Sequence, residues 1–249
     1  MDLFSSNFGY PTVVISSGLF YLNNYWILNA LTPSLLQKSP KKQWKWRNTA
    51  NSLIHSFITG CGACLCFWSA PDMRRDLISE WTPASYTLIS ISIGYFIYDL
   101  IDMAVNDPKS KTYELLLHHF MVILSFMTAM TQRKYIGYTL MALLVEVNSV
   151  FLHSRQLLLL NQWNKSSTVY RINNSFNLGT FVVFRILTLG WMTRWLVHHR
   201  MDMSSFDIYV AGSTLTIVMG MNIILLQRLL NSDYRQVPKT PTDEHMKVR

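Results

Sequence analysis

Charge is what this sequence has least of. Only 14% of its residues are Asp, Glu, Lys or Arg, where a soluble domain carries about 25%. Much of the surface is therefore expected to meet lipid rather than water. Cysteine is equally sparse: Cys61, Cys64 and Cys66 fall within six residues of one apolar stretch. A structural zinc site takes four ligands in a closed shell, and no second cluster of matching spacing exists, so no metal site is expected. The thiols read as small packed hydrophobes, with S-acylation as the alternative. The N-terminus has no basic n-region and no clear small-residue cleavage site, so the first apolar stretch is expected to be a retained span. Internal repeats and low-complexity runs are missing too, and without inverted repeats a transporter of that type is disfavoured.

What is abundant is apolar. Half of the 249 residues are hydrophobic, and a bilayer core about 30 Å thick needs about 20 apolar residues per helix. Seven stretches qualify: Phe8 to Leu31, Thr49 to Ala70, Pro83 to Val105, Leu115 to Thr131, Tyr135 to Leu160, Asn174 to Leu196, and Phe206 to Leu229. None alternates with period two, and lipid admits only helices or closed barrels. The expected fold is an all-α integral membrane bundle of about seven transmembrane helices. Residues 1–43 read as a first span with a basic cytosolic loop, 44–230 as the main domain, and 231–249 as a polar, disordered tail.

The net charge of +8, from 22 Lys and Arg against 14 Asp and Glu, sits in short segments between spans. That placement points to orientation and anionic headgroups rather than nucleic acid. Lys38, Lys41, Lys42, Lys45 and Arg47 follow span one, and Arg235, Lys239, Lys247 and Arg249 follow span seven. Seven spans put both groups on one side, which the positive-inside rule makes cytosolic. The N-terminus is then outside. Trp44, Trp46, Trp68, Trp81, Trp163, Trp191 and Trp195 sit near span ends, where amphipathic rings favour the headgroup zone.

Ionisable residues at membrane depth cost at least about 2.5–3.5 kcal/mol each on insertion scales and suggest function by default. Asp99 and Asp102, at i and i+3, share a face near the cytosolic end of span three. Span four enters from the cytosol with His118 and His119; span five carries Glu146, Asn148 and His153. Glu146 and His153 align because seven residues nearly complete two turns. Span two contributes Asn51 and His55, span six Asn174, Asn177 and Arg185, and span seven Asn222. Six spans thus bring polar groups to one depth, which predicts a polar cavity in the cytosolic half. Arg185 is expected to pair with one of the carboxylates.

With these residues in view, the chain resembles the TLC domain family, which includes the ceramide synthases. The likeness runs from about Trp44 to Leu230. It is carried by PDM at Pro71 to Met73, GYFIYDLID at Gly94 to Asp102, YELLLHHFMVILSF from Tyr113, LLVEVNSVFLHSR from Leu143 and FRILTLGWM from Phe184. Within the family it is most similar to the branch of TLC domain-containing proteins 1 and 2. Ceramide synthases carry an HH pair followed about 28 residues later by an acidic HDxxD cluster. Here His118 plus 28 is Glu146, but Val145 and Ser149 stand at the flanking histidine and later aspartate positions. Arg185 matches an arginine on the following span.

The branch resemblance implies a regulator of phospholipid acyl composition and plasma-membrane fluidity, one that limits incorporation of long-chain polyunsaturated fatty acids. It would bind phospholipids or fatty acyl chains and work beside lipid-remodelling enzymes, in the plasma membrane or, alternatively, the endoplasmic reticulum. The second reading is an acyltransferase of the ceramide synthase type. There His118 or His119 is the general base, Glu146 or Asp99 orients the imidazole, and acyl-CoA is the donor; no other cofactor is expected. A pure scaffold would leave the intramembrane acids unexplained. Asp99, Asp102, His55, Asn148, His153, Asn177, Arg185 and Asn222 are the expected cavity residues.

Overall fold

The computed structural model describes residues 8–107 and 110–233, and of residues 110–112 the backbone alone. The basic groups of the tail and its expected disorder beyond residue 233 lie outside the described residues. Every regular element among the described residues is helical. Six helices are long and apolar enough to cross a membrane: Pro40–Ser69, Pro83–Asn106, Tyr113–Gln132, Ile136–Leu160, Thr168–His198 and Ser205–Asp233. Another helical run precedes them, built from Gly9–Leu22, a π turn at Asn23–Leu28 and Asn29–Leu31. These are segments one to seven in chain order. Asparagines dilute the hydropathy of segment one, and the fold gives all three partners: Asn23 donates to Asn51 Oδ1 at 2.7 Å, Asn24 to the Tyr98 hydroxyl, and Asn29 Oδ1 accepts from Gln43 and Arg47 at 3.0 Å each.

Local chemistry sets the helix starts. Pro40, Pro71 and Pro83 open helices at the first turn, where the missing N–H costs nothing. Thr82 and Ser85 close a capping box at the start of segment three, and the Ser167 hydroxyl accepts from Tyr170 N–H at the start of segment six. Segment two begins at Pro40 rather than near Thr49. Lys41, Lys42, Lys45 and Arg47 are therefore on its first turns and not in a loop, their long stems able to snorkel from the helix to the interface. Segment six likewise starts at Thr168, and segment seven continues through Asn231 and Ser232 to Asp233.

Side-chain contacts give each segment its direction. Segment one runs parallel to segment three: Ser16 donates to Ile91 O and Tyr25 to Asp102. Segment two is antiparallel to three, pairing Asn48 with Asp99 and His55 with Ser92. The same reading of paired contacts makes three antiparallel to four, by Asp99–His119 and Ser90–Met130, five to six, by Asn148–Asn177 and Phe151–Asn173, and six to seven, by Arg185–Asn222 and Tyr170–Asp233. Gly94 lets segment one come this close. A Cβ there would lie 1.9 Å from Ser16 Oγ and 2.4 Å from Val13 O, and the backbone oxygen cannot swing aside.

The apolar core, including Ile89, Ile93, Phe126, Met130, Ile136 and Leu140, occupies the half of the bundle away from the basic segment-two turns. Phe57, Ile101, Phe120, Leu187 and Ile223 are exposed on the outside of the bundle, as a hydrocarbon solvent requires. Between segments four and five Arg133 and Tyr135 adopt left-handed backbone, φ 52° and 61°. Tyr135 N–H donates to Ile78 O at 2.7 Å, tying this turn to the loop after segment two. In that loop, donation from Ser79 and Ile78 N–H holds the Asp76 carboxyl below the usual carboxylate range.

Candidate functional site

Segments two to seven enclose a cavity of about 720 Å³. Its lining changes along the membrane normal. Lys41, Lys45, Asp107, Glu114, Arg155 and Arg228 stand at the end nearest the basic turns of segment two. His55, Asp99, His118, His119, Glu146, His153, Arg185 and Asn222 form a belt deeper in. Phe126, Tyr138, Leu189, Met192, Leu215 and Val218 close the far end. At 1.5 Å rise per residue, Arg185 to Met192 measures roughly 10 Å along the axis. The long dimension thus runs from charged rim through polar belt to apolar floor.

Within the belt the two adjacent histidines differ. His119 Nδ1 contacts Leu115 O at 2.9 Å; a carbonyl only accepts, so Nδ1 carries a hydrogen. Its Nε2 lies 3.4 Å from Asp99 Oδ2, both side chains buried, and Asp99 Oδ1 accepts from Asn48 at 2.6 Å. Both His119 nitrogens are engaged by the protein. Among the described residues His118 Nδ1 is buried with no hydrogen-bond partner, and no hydrogen bond engages His153. These two are the cavity imidazoles with ring nitrogens that the described residues leave unengaged. His55 is held aside, stacked on Tyr95 at 3.8 Å and 11° and bonded to Ser92. Glu146 accepts from Ser56 at 2.6 Å.

Among the described residues Arg185 pairs directly with no carboxylate. Nε donates to Asn148 Oδ1 at 2.6 Å, Nη1 to Asn222 Oδ1 at 2.7 Å and Nη2 to Ser149 Oγ at 2.8 Å. A π turn at Val182–Leu187 places it. Asn177, Phe181, Arg185 and Leu189 are spaced by four; in a regular helix three such steps drift by about 120°, and one extra residue per turn removes about 100° of that. Hence Asn177, Arg185 and Leu189 all stay on the packed side of segment six, with Arg185 and Leu189 lining the cavity and Asn177 bonded to segment five.

Three expected cavity residues are not part of the lining. Asp102 turns toward segments one and two, accepting from Trp44 at 2.9 Å, Tyr25 at 3.2 Å and Asn48 at 3.2 Å. Asn148 and Asn177 stand behind the wall, with Asn148 donating to Asn177 O, Asn177 Oδ1 and Thr180 Oγ1. Close neighbours took these faces: segment one covers Asp102, and segment six covers Asn148. Sequence reasoning missed Asn48, Ser56, Ser149, Arg155 and Arg228. Two of them had a signal: Asn48 lies one heptad before His55 on the same helix, and Ser149 stands at the later aspartate position of the acidic cluster.

Membrane-length helices around a chamber that is charged at one end and apolar at the other define a class: multi-pass helical membrane proteins with an internal cavity graded from polar to apolar. The chain belongs to the TLC domain family, whose model matches residues 45–231. It is similar to TLC domain-containing protein 2 of Danio rerio, 45% identical over 90% of this chain and 89% of that protein. The same protein of Homo sapiens is 34% identical over 96% and 91%. TLC domain-containing protein 1 of Mus musculus is 30% identical over 81% of each chain.

Proposed function

We propose that this protein regulates the acyl composition of membrane phospholipids, limiting incorporation of long-chain polyunsaturated fatty acids, by taking a lipid or its acyl chain into the cavity. The observation that carries the reading is the gradient along the chamber, since an amphiphile matches charged rim, polar belt and apolar floor in that order. Family membership supports a lipid-related role. The test is a phospholipid lipidome of cells lacking the protein, re-expressing wild type or His118→Ala/His119→Ala at equal levels. Wild type should restore the saturated and monounsaturated share, and the double variant should leave it at the null value. Restoration by neither form would remove the reading; restoration by both would make the histidines structural.

An acyltransferase is the second reading, favoured by the unengaged nitrogens of His118 and His153 beside a buried guanidinium. In it His118 takes the proton from an attacking hydroxyl or amine, the new acyl bond forms, and the thiolate of acyl-CoA leaves. His119–Asp99 is the proton-sharing pair behind it. Acyl transfer by the purified protein from a labelled donor separates this reading from regulation without chemistry.

The proposed site of action is the plasma membrane, with the endoplasmic reticulum as the alternative, the N-terminus outside and the C-terminus cytosolic. The basic first turns of segment two support this orientation. The Asn164 sequon, in the turn between segments five and six, then faces the cytosol and should carry no glycan. A mobility shift removed by endoglycosidase at Asn164 would reverse the orientation.

A further inference from the structure

Arg185 is a permanent cation far inside a membrane bundle, and the fold gives it only neutral acceptors. Three of its five N–H groups reach Asn148, Asn222 and Ser149, which leaves two that no described residue uses. Taking a guanidinium out of water costs several kcal/mol unless an anion compensates. Glu146 lines the same belt, but one Glu146 oxygen accepts from Ser56, and among the described residues the two side chains form no ion pair. Asp99, the other belt carboxylate, is committed to His119 and Asn48. Beside Arg185 the cavity presents His118 and His153, imidazoles that can donate to an oxyanion when they carry the proton.

From this geometry we infer an anion subsite: Arg185, with His118 and His153, binds the carboxylate of a single-chain fatty acid whose tail lies on the apolar floor. The inference rests on the lipid-handling reading and names its ligand class. A carboxylate can engage the planar guanidinium fork through both of its oxygens. Depth favours it as well, because the arginine is a full helix turn or more from the charged rim, and a large hydrated headgroup would have to be stripped of water to reach it.

The test uses the full chain purified in nanodiscs and direct binding of oleate. Methyl oleate and lysophosphatidate of the same chain serve as competitors, and a diacyl phospholipid as a separate ligand. Oleate should bind saturably, methyl oleate should compete at least tenfold less well, and Arg185→Gln should lose tenfold or more. Because Arg185→Gln can disturb folding, Ser149→Asp is the second variant. It sets a carboxylate on the group that already touches Nη2, so it should satisfy the arginine from within and lose oleate equally. Its melting temperature should be equal to or above wild type. Equal binding of methyl oleate and oleate, or oleate binding retained by a folded Ser149→Asp, would overturn the carboxylate site. Tighter capture of lysophosphatidate would overturn it in favour of phosphate. Binding of the diacyl lipid without oleate sinks only this inference, whereas binding of neither sinks the lipid-handling reading with it.

Discussion

Asp233→Ala should lower the melting temperature by roughly 6–12 °C, through loss of about 3 kcal/mol. Asp233 ends segment seven, and its side chain is 2% exposed against 10% for Arg155. It accepts from Arg155 Nε at 2.7 Å and Nη2 at 2.8 Å, from Lys165 at 3.1 Å and from the Tyr170 hydroxyl at 3.0 Å. One carboxylate therefore fastens the end of segment seven to segment five, segment six and the turn between them. Removing it strands a buried guanidinium, which is why the loss should exceed the fraction of a kcal/mol typical of a surface ion pair. The figure is set at the low end for a broken buried pair because Arg155 belongs to the rim. Arg155→Met in the same background should recover part of the loss, since no orphan charge then remains. A shift below 2 °C for Asp233→Ala would show that the clamp is not structural.

Asn148→Leu should cost a similar amount for a different reason. Asn148 is fully buried, and its side-chain amide joins Asn177, Thr180 and Arg185. An ordinary interhelical hydrogen bond in a membrane averages about 0.6 kcal/mol. Leucine, nearly isosteric, would also leave Arg185 Nε without its acceptor, and a hydrogen bond to a charged group carries about 1.5–3 kcal/mol. The sum is about 3 kcal/mol. Thermal unfolding of Asn148→Leu, Arg185→Met and the double variant reads it directly. The double variant should be more stable than the two separate losses added together predict. Strict additivity would mean that the two residues are independent, contrary to the 2.6 Å contact.

The bundle itself was legible because lipid leaves so few options. An apolar run of about 20 residues must become a helix, so the seven segments could be marked from composition, with errors only at their ends. Those errors have one cause: Pro40 and Thr168 start helices inside polar sequence, where hydropathy carries no signal. The convergence of Asp99, His118, His119, Glu146 and Arg185 at one level was legible too, because alternating spans fix the depth of every residue.

Which way each polar side chain turns was not. Asp99 and Asp102 share a face by spacing, yet one meets His119 and the cavity while the other meets Tyr25 and Trp44. His118 and His119 are neighbours in sequence, but a carbonyl one turn back claims one and not the other. Arg185 looked like half of an ion pair and is held by amides and a hydroxyl instead. Its position depends on a π turn that no period in the sequence announces. Depth in the membrane follows from the chain alone, since it is counted along a helix from the edge of an apolar run. Azimuth around the helix and choice of partner follow only from packing, because several neighbours at the same depth compete for each polar group and distance decides among them.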